Sequence, residues 1–237
     1  TITTDDQGNT GAGGAKTDTD TVSITVNAQN DAPVNTVPGA QTVAEDTALA
    51  IGGISVHDTD GNLSTTKLTV TNGAVTVDLA GGATISAGAN GSATLTLSGT
   101  EAQVNAALAT LSYQGAANYN GADTLTVLST DGSGATDSDT VGITVTAVND
   151  APANSVPGAQ TTNEDTALVF SAANSNQIQI ADVDDGGAEV KVTLGVTQGV
   201  LTLAQTTGLT FTTGDGTADA SLVFTGAKAD VNAALAT

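Results

Sequence analysis

Residues 29–49 read QNDAPVNTVPGAQTVAEDTAL, and 119 positions later residues 148–168 read VNDAPANSVPGAQTTNEDTAL. A chain that states one acidic, proline-punctuated phrase twice is built of repeats, and a repeat decides the architecture before any single motif does. Aligning the phrases sets Asn30, Asp31, Pro33, Pro38, Glu45 and Asp46 against Asn149, Asp150, Pro152, Pro157, Glu164 and Asp165. Further along, ISVHDTDGN (54–62) faces IQIADVDDGG (178–187), and SGTEAQVNAALAT (98–110) faces TGAKADVNAALAT (225–237). The offset drifts upward, so the second copy carries insertions, most of them at SAANSNQ after Leu168. The opening residues 1–33 parallel residues 124–152. The expected organisation is therefore the C-terminal strands of a preceding repeat (1–29), a complete repeat (30–149) and a truncated one (150–237). A chain that opens in mid-strand reads as a fragment, so its lack of a signal peptide or apolar span says little.

Apolar residues alternate with Thr and Ser at Val22, Ile24 and Val26, at Leu95 and Leu97, at Leu125 and Val127, and at Val141, Ile143 and Val145. Period two with β-branched residues marks strands with one buried face. Asn72-Gly73, between two such runs, predicts a two-residue hairpin turn. Thr100 followed by Gln103 predicts a capped short helix over TEAQVNAAL. The fold class expected is all-β: tandem immunoglobulin-like β-sandwich repeats with one short helix per repeat. Tyr113, Tyr119, Phe170, Phe211 and Phe224, the complete set of aromatic residues, read as core or strand-end positions.

Twenty-five acidic residues stand against four basic ones, for a formal net charge of −21. Nucleic acid is excluded as a partner, because binding it needs clustered Lys and Arg, and no run suits insertion into a membrane. With no cysteine there is neither a disulfide framework nor thiolate chemistry. His57 is the one histidine, and the other copy has Ala181 in its place, so a triad has no repeated base and the chain reads as a non-enzyme.

The carboxylates gather at strand ends and linkers. Counting alternating strand directions places Asp58, Asp60, Asp131, Asp137 and Asp139 near Asn30 and Asp31, joined by Asp5, Asp18 and Asp20 from the opening segment. The same count places Glu45 and Asp123 at the other end near Asn149 and Asp150, with Glu164, Asp182 and Asp184 as the next copy's equivalents. Clustered carboxylates repel one another and raise their pKa values unless a cation is bound. Calcium, which takes six to eight oxygens in flexible geometry, fits such a set better than magnesium. Asn, Asp and Pro also make ordinary turns, which is the plainer reading of NDAP.

NDAP at a boundary, an acidic residue along the first strand and DTD at the next turn resemble the cadherin-like repeats of large bacterial surface adhesins exported by type I secretion, the RTX type. The resemblance implies a secreted, cell-surface extender of calcium-binding sandwiches, in contact with adjacent repeats and used in adhesion or biofilm formation. The glycine-rich nonapeptide calcium repeat of such proteins is absent from the sequence. Two alternatives are a self-assembling filament subunit joined head to tail by strand complementation, and a glycan-binding sandwich, although no aromatic platform for sugar is visible.

Overall fold

The computed structural model describes residues 1–8 and 11–236. In chain order the elements are β1 (Ile2–Asp5), β2 (Thr17–Asp20), β3 (Val34–Thr36), β4 (Gln41–Ala44), β5 (Leu49–Ala50), β6 (Ser55–His57), β7 (Leu63–Thr69), β8 (Gly73–Thr76), β9 (Thr84–Gly88), β10 (Thr94–Ser98), α1 (Glu101–Leu108), β11 (Ser112–Gly115), β12 (Gly121–Asp131) and β13 (Thr136–Thr146). Then follow β14 (Ala153–Ser155), β15 (Gln179–Ala181), β16 (Glu189–Gly195), β17 (Leu209–Thr213), β18 (Ser221–Ala227) and α2 (Lys228–Leu235). The fold is all-β sandwich, as the alternation predicts, with two short helices among the described residues, one in each copy of VNAAL. The chain divides into two compact units: Thr1–Gly39 with Ala50–Tyr113 and Thr124–Val141, and Ala40–Leu49 with Gln114–Asp123 and Gly142–Thr237.

In the first unit the larger sheet runs β13-β12-β7-β10-β9 and a smaller one runs β5-β11-β8. Leu68, Leu95, Leu97, Leu125 and Val127 line the inner face of the larger sheet, Val75 and Tyr113 that of the smaller, and Val104, Ala107 and Leu108 of α1 close the core. Thr100 accepts the Gln103 N–H while the Gln103 side chain accepts the Thr100 N–H, the reciprocal cap read from the sequence. A separate hairpin, β1-β2, pairs Ile2 with Asp20 through Asp5 with Thr17.

In the second unit the last residues of β13 run parallel to β4, pairing Ile143 with Gln41 and Thr146 with Ala44. The same unit holds β16-β18-β17, β14-β15 and α2 around Leu222, Phe224, Val231 and Leu235. Phe211 and Phe224 pack at 5.4 Å between ring centroids. Ala227, at the position equivalent to Thr100, gives α2 no side-chain cap, a difference of about 1 kcal/mol in helix stability.

Two sequence expectations fail. Val22, Ile24 and Val26 are 79, 83 and 88 % exposed and lie in no strand, because among the described residues no strand pairs with 21–33. Asn72-Gly73 closes no hairpin: β7 and β8 lie in different sheets, so the turn carries the chain from one layer to the other. Alternation in the flanking runs is the same in both cases, and only the partner differs.

Candidate functional site

Two acidic clusters are organised by the two copies of Asn-Asp-Ala-Pro. In the first unit, the Asp31 N–H donates to Asp60 Oδ2 at 2.7 Å. Asn30 Nδ2 donates to Asp131 Oδ2 at 2.6 Å, while Asn30 Oδ1 accepts from Asn62 Nδ2 and Ser133 Oγ, each at 2.8 Å. The DTDGN turn is self-bonded: Asp58 Oδ1 accepts the N–H groups of Asp60 and Asn62, which fixes the carboxylate and leaves it nearly inaccessible, at 2 % exposure. Asp131 Oδ1 accepts from Ser133 and Ala135 N–H. The Asn30 amide, with those backbone donors behind it, holds the Asp131 carboxyl below its ordinary value.

The second unit repeats the bond: the Asp150 N–H donates to Asp184 Oδ2 at 2.9 Å. In both copies the Asn side chain also donates to the following Asp carbonyl, Asn30 to Asp31 at 3.2 Å and Asn149 to Asp150 at 3.1 Å. Here the upstream acids come in as well. Glu45, 5 % exposed, accepts the Val148 N–H at 2.6 Å, and Asp46 accepts the Asn118 N–H. Asp46 and its equivalent Asp165 both take a left-handed conformation, φ 56° and 57°, one that Asp tolerates in turns. Asp150 is pushed above its ordinary value by desolvation, then by the charges of Asp184, Asp46, Glu45 and Asp182. Asp184 is held down, chiefly by the Asp150 N–H.

The remaining predicted ligands fall elsewhere. Asp137 Oδ2 accepts the Asn35 N–H at 2.7 Å. Asp139 is half-buried on β13 and Asp123 buried on β12. Asp5, Asp18 and Asp20 lie exposed on the β1-β2 hairpin, where Asp5 accepts the Gln7 N–H. In that hairpin it is Asp6 that matches Asp131: its Oδ1 accepts from Gly8 and Lys16 N–H, as Asp131 does from Ser133 and Ala135. Glu164 is exposed in an unpaired stretch, and Asp182 Oδ1 accepts the Asp184 N–H.

Sequence reasoning missed four positioning residues, two in each copy. Glu101, in the first turn of α1, accepts the Asp58 N–H at 3.0 Å and meets His57 Nδ1 at 3.1 Å, so it grips the DTDGN turn from outside. Its carboxyl is lowered by the Asp58 N–H first and His57 second. Lys228 occupies the equivalent position with the opposite charge and grips the equivalent turn through the Asp182 carbonyl and the Asp185 carboxylate. Asn105 both accepts the Val56 N–H and donates to the Val56 carbonyl, each at 2.8 Å, and Asn232 does the same to Ile180 at 2.8 and 2.9 Å. The signal was the repeated Asn inside VNAAL, a poor helix former retained in both copies.

The donor set, carboxylates and amide oxygens with neighbouring carbonyls, is the hard-oxygen chemistry that calcium takes. Among the described residues no group of three or more His, Cys, Asp or Glu is gathered tightly enough to hold a metal ion by those side chains alone. Amide and main-chain oxygens would have to complete any shell. No helix among the described residues is long and apolar enough to cross a membrane.

Over residues 53–140 the chain is similar to the family model described as "Protein GAMETE EXPRESSED 2 domain", not to one for bacterial adhesins. No curated protein matches it. Among solved structures it is similar to protocadherin gamma B2 extracellular cadherin domains 1–5, at 14% identity over 84% of this chain and 33% of that one, TM-score 0.32. It is also similar to protocadherin gamma B7 extracellular cadherin domains 1–4, at 14% identity over 83% of this chain and 41% of that one, TM-score 0.29. The chain thus spans a third to two fifths of the length of these structures.

Proposed function

We propose that the chain is a run of calcium-stiffened β-sandwich repeats, 30–149 and 150–237 preceded by the last strands of another at 1–29, acting as an extracellular extender in adhesion. The observation that carries this reading is the bond made twice, from the linker Asp N–H to the second Asp of the following Asp-x-Asp turn, in both copies of the linker. A linker fastened the same way to the same turn is what a repeated joint requires. Asn30, Asp31, Asp58, Asp60 and Asp131 would hold calcium at the first linker, and Glu45, Asn149, Asp150, Asp182 and Asp184 at the second. Calcium supplies the countercharge that Asp150 and its four acidic neighbours lack. The role is mechanical and non-enzymatic: to space a distal binding domain from a cell surface, the bacterial surface in the adhesins that the sequence resembles.

Calorimetric calcium titration of the intact chain tests the reading, alongside small-angle scattering with calcium and with chelator. Heat of binding, together with a particle that becomes more flexible in chelator, is the expected result. Asp184→Ala should abolish the scattering change at the second linker while leaving far-UV circular dichroism intact. If the wild-type chain takes up no calcium at millimolar concentration, the linker carboxylates are turn residues only.

A further inference from the structure

Strand pairing fixes which side chains share the outer face of the larger sheet in the first unit. Thr69 of β7 stands between Thr126 of β12 and Thr94 of β10. Lys67 stands between Leu128 and Thr96, with Ala87 of β9 beyond. Thr65 lies opposite Thr130, and Thr84 opposite Ser98 with their hydroxyls 3.1 Å apart. On β13 the alternate, exposed positions are Thr136, Ser138 and Thr140. None of these residues is acidic, in a chain with 25 Asp and Glu and a net charge of −21. The acids that the same stretches carry, Asp131, Asp137 and Asp139, all alternate to the other side. The last repeat keeps the pattern. Its outward rows set Thr193 beside Val223, and Lys191 beside Thr225 and Thr210, so a lysine again rides on the strand equivalent to β7. Glu189, at the start of β16, marks the margin of that face.

Charge decides what can lie against such a surface. Two chains of −21 repel, and the repulsion reaches over about 8 Å at physiological ionic strength, so close approach is confined to surface without carboxylates. Lys67, exposed on the middle strand of the five, sets a positive charge against the negative field of the incoming chain. Thr carries a methyl group and a hydroxyl together, so stacked rows of Thr exclude water while each hydroxyl keeps a partner, as Thr84 and Ser98 already do. No aromatic ring lies in these rows, so a sugar finds no stacking platform. Five strands spaced about 4.8 Å apart and about 20 Å long give roughly 500 Å² a side, or about 1,000 Å² for a stacked pair, the lower limit for a specific contact.

We infer that the outer face of β13-β12-β7-β10-β9 is a lateral contact surface for a second copy of this chain, sheet against sheet and centred on Lys67. Both chains present the same surface, so the contact is isologous and closes as a pair. Its area makes one pair weak, and a run of repeats strengthens it by raising the effective concentration of each following face. This inference stands whether or not the linkers hold calcium.

Sedimentation equilibrium tests it on the 237-residue chain, at rising concentration in low and in high salt. The wild-type average mass should climb from 22.9 kDa toward twice that value, and climb further in high salt, where repulsion between the remaining surfaces is screened. Thr96→Glu with Thr126→Glu puts carboxylates on the outward rows and should hold the chain at one copy. Ala50→Glu with Thr76→Glu, at exposed positions of the smaller sheet, adds the same charge and should leave pairing in place. Lys67→Glu, a single exposed change that does not disturb the core, should weaken pairing by itself. Because the chain has no cysteine, a bismaleimide spanning about 10 Å, the spacing of stacked sheets, should join Lys67→Cys chains in pairs and leave Thr76→Cys chains single. A wild-type chain that stays at 22.9 kDa at millimolar concentration in high salt overturns the inference. So does association that both double substitutions weaken equally, or that links Thr76→Cys as readily as Lys67→Cys.

Discussion

Residues 136–146 and 17–27 are spelled nearly alike and end in opposite states. Val141, Ile143 and Val145 are 1, 2 and 2 % exposed on β13, whereas Val22, Ile24 and Val26 stand in solvent. Local preference is therefore constant across the comparison, and what changes is the presence of β4 and of a core to face. Strand propensity is a statement about fitting a pleated, half-buried surface. A segment with no such surface beside it keeps the pattern without the strand.

The strongest attempt to break this comparison places a carboxylate at matched positions. Val141→Asp buries a charge in the core and should cost more than about 4 kcal/mol, enough to unfold the complete repeat. Val22→Asp should stay within about 0.5 kcal/mol. Thermal denaturation followed by circular dichroism reads both, and equal losses would dissolve the contrast.

Next in size are the helix asparagines. Asn105→Ala strands the Val56 N–H and carbonyl beneath α1 and should lower stability by about 2–3 kcal/mol, as for buried polar groups left unpaired. Asn232→Ala should lower it less, since Ile180 is half-buried and water reaches it more readily. Urea titration with unchanged slope gives the two values, and their equality would mean that the last repeat is as closed as the complete one.

Calcium comes third. At about 1 mM ion and dissociation constants of roughly 0.1–1 mM, each site adds on the order of 0.4–1.4 kcal/mol, seen as a melting shift reversed by chelator. The smallest effect separates the two clusters. An acid whose folded pKa is raised binds its proton more tightly in the native state, so stability falls as pH climbs through its ordinary value of 3.8 toward the folded one. In chelator near neutral pH, Asp150→Asn should therefore be neutral or slightly stabilising, and in calcium destabilising relative to wild type. Asp131 has the opposite sign. Its lowered carboxyl contributes stability above the ordinary range that is lost as pH falls through the folded value, so Asp131→Asn should blunt acid unfolding. Melting temperatures against pH check both signs.

Much of this arrangement was legible in the sequence, for identifiable reasons. Period-two alternation exposed the strands of the core, and the Thr100–Gln103 spacing the helix cap. The grouping of Asp58, Asp60 and Asp131 about Asn30 and Asp31 followed from counting strand directions. What could not be read was anything set by partners distant in the chain. Asn72-Gly73 has the chemistry of a hairpin turn, yet β7 and β8 join different sheets because each finds better neighbours there. Asp137 lies near in sequence to Asp131 but turns to Asn35, since alternation on β13 points it at the Asn35 N–H. Glu101 and Lys228 serve the same turn with opposite charges, a substitution no pattern of acids would reveal.

The parallel pairing of β4 with β13 bears on how such a chain behaves under tension. The chain enters the complete repeat through β3, which pairs with β6, reaches β4 next and leaves just after β13, so a pull that passes β3 drags β4 and β13 past each other lengthwise. The bonds from Gln41–Ala44 to Ile143–Thr146, extended by Glu45 N–H to Thr146 O at 2.9 Å and by Val148 N–H to the Glu45 carboxylate, are then loaded side by side and must fail together. An antiparallel terminal pair pulled from one end would open one bond at a time, like a zip. The complete repeat is thus geared to yield abruptly at high force, and Glu45, a linker acid at rest, becomes the last rung of a shear clamp.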